Sequence, residues 1–123
     1  MMRLMAAKLD GLPPTVNHLY RTARNSRRYK THEGKEWQRQ AAAVFADSYV
    51  LPEPYAGDVE LNVYFLTADR RRWDIDNRVK ALMDALMMGG VIRDDTQVKA
   101  LHVERETVQE KTETVVFVRE CVA

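Results

Sequence analysis

The chain has a single cysteine, Cys121, in 123 residues. One thiol excludes an intrachain disulfide and a cysteine zinc site. Such cysteine usage suits a reducing, cytoplasmic compartment. No apolar run approaches the ~20 residues that span a bilayer, so no membrane association is expected. The segment MMRLMAAKLDGLPP has no long apolar stretch ending in a small-residue cleavage site, so a secretory signal is not expected. No G-x-x-x-x-G-K-[ST] loop is present, which argues against a nucleotide cofactor. His18, His32 and His102 lack zinc-ligand spacing, and no Ser or Cys has a G-x-S-x-G setting. Neither internal repeats nor low-complexity segments occur.

Apolar residues make up 46% of the chain, enough to build a core. The length fits one domain, residues 1–123, better than two. Net charge is only +1, but its distribution is uneven. Residues 21–30, RTARNSRRYK, carry Arg21, Arg24, Arg27, Arg28 and Lys30 with no acid. Arg70, Arg71 and Arg72 are consecutive, while Glu104, Glu106, Glu110 and Glu113 gather near the C-terminus. Such a pattern points to a polyanion met on one face. The competing reading is a merely solvated surface.

Hydrophobic periodicity gives the order β-α-β-α-β-β, an α/β domain with a mixed sheet and two main helices. Residues 3–9 read as a first strand, ended by Asp10-Gly11 and Pro13-Pro14. Residues 15–30 read as a long functional surface loop. From His32 to Val50 the pattern is helical, with Thr31 as N-cap and a stripe of Trp37, Ala41, Val44, Phe45 and Ser48. Residues 58–67 alternate as a strand with Val59, Leu61, Val63 and Phe65 on its buried face. Residues 75–88 read as a helix with stripe Ile75, Val79, Leu82 and Leu86, stopped by Gly89-Gly90. Met83, Met87 and Met88 read as core filler. Residues 98–106 and 113–119 read as strands joined by a turn at VQEK; VVFV is apolar on both faces, which predicts a central strand.

The chemistry concentrates in WDIDNRVKALMDAL and the following GGVIRDDTQV. In an extended segment Asp74 and Asp76 point the same way, and two converging carboxylates suit a hard divalent cation. Lys80 lies one helical turn beyond Asp76. Gly89-Gly90 lets the chain double back, so Asp95 can return to the start of the helix, with Asp94 as a fourth candidate. Three carboxylates and a lysine beside three arginines describe a phosphodiester-cutting site using magnesium. The competing readings make Asp74 an N-cap, and Asp76, Lys80 and Asp84 a surface i,i+4 ladder.

The run DIDNRVKALMDALMMGGVIRDDTQV resembles the core of the RusA family of Holliday-junction resolvases. That pattern is D-x-D-N, a lysine four residues on, D-A-L, a glycine break, then D-D-x-Q. LPPTVNHLYR resembles the family's N-terminal P-P-x-x-N-x-x-Y segment, and the later strands, including a closing hairpin, are compatible. The resemblance implies a homodimeric endonuclease of DNA recombination and repair that uses Mg2+, with Mn2+ as substitute, to make paired nicks across a four-way junction. By resemblance, Asp74, Asp76 and Asp95 match metal-binding carboxylates and Lys80 a catalytic lysine. Asn17, Tyr20 and Arg21 match the N-terminal segment, where DNA contact is expected. Trp73, before the first aspartate, and Arg78 depart from the pattern and bear on junction fit and cleavage preference. Tyr49, Leu51 and Tyr55 are candidates for a dimer interface, with core packing the alternative. A related nuclease for flaps or duplex ends, and a non-catalytic DNA-binding module, are the competing functions.

Overall fold

The computed structural model describes residues 2–25, 27–70, 72–108 and 110–121. The sheet is built around β4, Val59–Thr67. Val59, Leu61, Val63 and Phe65 are buried on one face, and Glu60, Asn62, Tyr64 and Leu66 are half-buried on the other, because successive strand side chains point oppositely. β6, Glu113–Glu120, pairs antiparallel with β4 and with β1, Arg3–Asp10. β5, Val98–Thr107, runs parallel to β4 on its other side, giving the mixed order β1-β6-β4-β5. The doubly apolar VVFV segment therefore lies centrally, as its composition predicts. The last two strands are not a closing hairpin, however. Helix α3, Val79–Met88, lies in the crossover between the parallel strands, which leaves the polar β5 on the edge and β6 between β1 and β4. The expected VQEK turn includes Gln109, which lies outside the described residues.

Helices α2 (His32–Ser48) and α3 cover one sheet face, with Phe45, Ala41, Leu82, Ala85 and Leu86 in one core with the inward strand residues. Thr31 caps α2: the Gly34 N–H donates to its Oγ1 at 3.0 Å. The buried arc of α2 is Gly34, Gln38, Ala41, Ala42 and Phe45. Val44, expected inside, is exposed, and Ser48 is only half-buried. The arc is displaced because α2 must serve two partners: it packs on the sheet and also against α3. A Cβ at Gly89 would stand 2.7 Å from the Ala42 carbonyl oxygen, so the end of α3 lies directly on α2.

The second helical segment is not one helix from residue 75. Ile75–Arg78 forms a 3-10 turn and α3 begins at Val79. Ile75 is exposed there, whereas Val79, Leu82 and Leu86 are buried as predicted. Met83 and Met87 pack against the core, but Met88 at the helix end is 57% exposed rather than core filler. Gly90, at φ +75°, then turns the chain back.

Residues 15–30 are not a featureless loop. Thr15 caps a short helix α1, Val16–Leu19, and β2, Tyr20–Thr22, pairs antiparallel with β3, Arg28–Lys30. Leu19 is fully buried, and the Thr31 N–H donates to its carbonyl at 2.9 Å. No helix among the described residues is long and apolar enough to cross a membrane.

Candidate active site at the head of helix α3

Lys80 and Asp84 share one face of α3, with Lys80 Nζ 3.1 Å from Asp84 Oδ1. Asp84 is only 6% exposed, so its carboxylate needs partners. The Tyr20 hydroxyl donates to Asp84 Oδ2 at 3.1 Å, and Lys30 Nζ lies 3.8 Å from the same oxygen. Lys30 Nζ also donates to Gln38 Oε1 at 2.6 Å, and Gln38 is itself buried. On the other side, Lys80 Nζ is 3.8 Å from Asp95 Oδ2. A continuous polar chain thus runs from α2 through the β2–β3 hairpin and α3 to the turn before β5. Its hydrogen bond to Asp84 pushes Lys80 above the usual lysine range, against the smaller downward pull of partial burial. Burial, then the Asp84 charge, pushes Tyr20 upward.

The return of Asp95 to the head of α3 follows from its turn. Asp94 caps the short 3-10 segment Asp95–Gln97, its Oδ1 accepting from the Thr96 N–H at 2.9 Å. Gln97 Oε1 accepts from the backbone N–H groups of Arg93 and Asp94 at 2.7 and 3.0 Å, completing a capping box. Gln97 Nε2 donates to the carbonyls of Tyr55 and Gly57, each at 2.7 Å. The Thr96 backbone hydrogen bond holds the Asp94 carboxyl below its ordinary range. Asp94 therefore builds the turn, and Asp95 is the acid it presents to Lys80.

Asp74 is extended, at φ −77° and ψ 124°, in the N-cap position of the 3-10 turn, yet its side chain makes no capping bond. Asp76 lies inside that turn, so the period-two argument for an extended pair does not describe this segment. Both carboxylates are exposed and form no ion pair among the described residues. Among those residues no group of three or more His, Cys, Asp or Glu side chains is gathered as a metal cluster. The donor chemistry nevertheless fits a hard cation: Asp74 and Asp76 have oxygens uncommitted to protein partners, and carboxylates suit magnesium.

Trp73 and Arg78, the two departures from the RusA pattern, touch each other. The Arg78 guanidinium lies 4.9 Å from the Trp73 ring centroid and that of Arg105 lies 5.2 Å from it. The ring meets Phe65 edge-on at 5.3 Å. Arg105 Nη1 donates to the Trp73 carbonyl at 2.8 Å, and Arg78 Nη1 donates to that of Pro13 at 2.6 Å. The residue before Asp74 is thereby fixed to β4, β5 and the Pro13-Pro14 segment.

Arg21, Arg24, Arg27 and Arg28 are exposed on or beside the hairpin, and Asn17 is exposed on α1. Arg28 stacks on Tyr20 at 4.5 Å. Arg70 and Arg72 are exposed after β4; Arg71 lies outside the described residues. Tyr20 and Lys30 differ from this group, since both polar ends turn inward to Asp84. Tyr49, Leu51 and Tyr55 pack against the core, the alternative kept open for them. Two members of the polar chain escaped sequence reading. Asp84 entered only in the competing reading of a surface ladder, although an acid inside ALMDALMM is the signal that a buried carboxylate leaves. Gln38 gives no signal of its own.

Residues 10–119 match the family described as Endodeoxyribonuclease RusA. Over 86 residues, 70% of each chain, the protein is 35% identical to the Crossover junction endodeoxyribonuclease RusA of Escherichia coli (strain K12). It is 36% identical over the same length and shares to the protein of that name from Enterobacteria phage 82. The corresponding Aquifex aeolicus (strain VF5) protein is 23% identical over 116 residues, 90% of this chain and 87% of that relative. The matched span runs from the end of β1 into β6 and includes every acid and lysine of the site, and on it the chain belongs to the RusA endodeoxyribonuclease family.

Proposed function

We propose that this protein is a structure-specific endodeoxyribonuclease that resolves four-way DNA junctions by paired, symmetric, magnesium-dependent cleavage, acting in recombination and repair. The observation that carries the reading is the approach of Lys80 Nζ to Asp95 Oδ2 at 3.8 Å. Asp74 and Asp76, on the turn that leads into the same helix, have carboxylates uncommitted to protein partners. Asp74, Asp76 and Asp95 would hold a magnesium ion, with manganese as substitute, which supplies an activated water and offsets charge growing on phosphorus. Lys80, held 3.1 Å from Asp84 Oδ1, presents its Nζ charge to a phosphate oxygen, where it offsets developing charge or takes part in proton transfer. The exposed arginines of the hairpin and of the segment after β4 meet phosphates, which positions DNA without reading sequence.

The described residues of one chain supply one such site, so paired cuts require a homodimer whose two sites face a two-fold symmetric junction. The deciding experiment uses labelled four-way, flap and duplex DNA with and without magnesium. Symmetric paired nicks confined to the four-way junction and to magnesium are expected. Flap cleavage of equal rate would replace junction resolution with a broader branched-DNA activity, and binding without cleavage would leave a non-catalytic module. Light scattering should give about twice the chain mass. A mixed dimer with one Asp76→Asn protomer should nick a single strand; full resolution by it would reject paired cleavage.

A further inference from the structure

We infer that Asp84 is a positioning residue, which fixes the Lys80 ammonium at the Asp95 side of the site and registers the basic hairpin on the same carboxylate. The inference rests on the reading of Lys80 as the catalytic lysine. Asp84 is a buried position of α3, only 6% exposed, on the face it shares with Lys80. An apolar side chain there would be buried without desolvating a charge. What the carboxylate adds there is orientation. Both of its oxygens are committed, Oδ1 to Lys80 and Oδ2 to Tyr20 and Lys30. Tyr20 and Lys30 come from the two strands of the hairpin, so the hairpin sets the direction of Oδ2 and thereby aims Oδ1. Lys30 is steadied in turn by buried Gln38. The Lys80 side chain is 44% exposed and otherwise has several rotamers available. Fixing it in advance removes that entropy loss from the reaction, the same logic by which outer partners orient ligands around a metal. The arginines that meet DNA and the lysine that meets the scissile phosphate thus share one anchor.

A double-mutant cycle tests this on the full chain. Single-turnover cleavage of a labelled four-way junction with magnesium is measured for wild type, Asp84→Asn, Lys80→Gln and the double variant. Junction affinity is measured in EDTA. Asp84→Asn should slow single-turnover cleavage at saturating protein by about tenfold or more, a loss in the chemical step, while loosening of the hairpin lowers junction affinity by a smaller factor. The double variant should cleave no more slowly than Lys80→Gln. Losses that multiply, or a wild-type rate for Asp84→Asn, overturn the positioning role while leaving Lys80 catalytic. A wild-type rate for Lys80→Gln overturns the reading of Lys80 itself, and the role of Asp84 with it. Should Asp84→Asn fail to fold, Asp84→Glu runs the same cycle, keeping the charge but moving it one methylene. A rate loss that vanishes in the Lys80→Gln background supports the inference, and one that persists there overturns it.

Discussion

Asp84 and the pair Asp74 and Asp76 belong to one short stretch of chain and live in opposite surroundings. Asp84 is buried and has two ammonium groups and a phenol around it. Asp74 and Asp76 face solvent without a side-chain partner among the described residues. A buried carboxylate is affordable only when its charge is answered within the protein, and such a group has no oxygens to spare for an incoming ion. An exposed carboxylate that declines to cap its own turn keeps its oxygens available. The difference separates acids that arrange the site from acids that can act in it.

The comparison breaks most sharply on activity. Asp74→Asn or Asp76→Asn should lower the magnesium-dependent cleavage rate by several orders of magnitude, on the order of 4 kcal/mol in barrier, while thermal melting stays at the wild-type temperature. Junction binding should persist. Asp84→Asn should instead lower the melting temperature as well as the rate, since it leaves Lys30 and Lys80 without their shared counter-charge. If Asp74→Asn melts as early as Asp84→Asn, the exposed acids are structural and the distinction fails.

A second test concerns what carries the exposed pair. Trp73 fixes the backbone just before Asp74 through Phe65, Arg78 and Arg105. Trp73→Ala should cost about 2 kcal/mol of stability, below the range for a fully buried aromatic because the ring is half-buried. In a cycle with Arg78→Leu, the coupling should be about 0.5–1 kcal/mol, read from urea unfolding. Zero coupling would mean that the stacked pair does not hold this turn, and the two departures from the family pattern would be unrelated.

Much of this was legible in the sequence, for a physical reason that also marks its limit. Val59 to Phe65 alternate because a half-buried strand has period two, and β6 reads as central because both faces of VVFV are apolar. Such patterns are local. Val44 broke the α2 stripe because burial there depends on where α3 lies, which no single-helix pattern records. The hairpin at residues 20–30 escaped because three-residue strands carry no period, and its order comes from Leu19 and Thr31 packing under α2. At the site, Gly89-Gly90 foretold the return of Asp95 toward Lys80. The expected gathering of Asp74 and Asp76 with Asp95, however, is not found among the described residues, because a 3-10 turn replaces the extended segment on which that spacing argument rested. The partners of Asp84 come from three separate elements, so spacing could not reveal them.

The smallest expected effect sharpens the same inside–outside distinction among the cations. Arg27 and Arg28 are exposed, whereas Lys30, two residues beyond Arg28, turns inward to Gln38 and Asp84. A cation that neutralises a phosphate releases counterions, so each contact contributes about −0.9 to the slope of log affinity against log salt on duplex arms. Replacing both Arg27 and Arg28 with Ala should flatten that slope by up to about twice this amount and weaken binding alike across junction sequences. Lys30→Met should leave the slope unchanged, because its ammonium already serves a carboxylate, and should lower the melting temperature instead. Fluorescence anisotropy with a labelled junction over a salt series measures the first, and a thermal melt the second. A Lys30→Met slope as flat as that of an arginine variant would mean that the lysine leaves Asp84 for DNA, and the anchor beneath the hairpin would then be opened by binding rather than fixed before it.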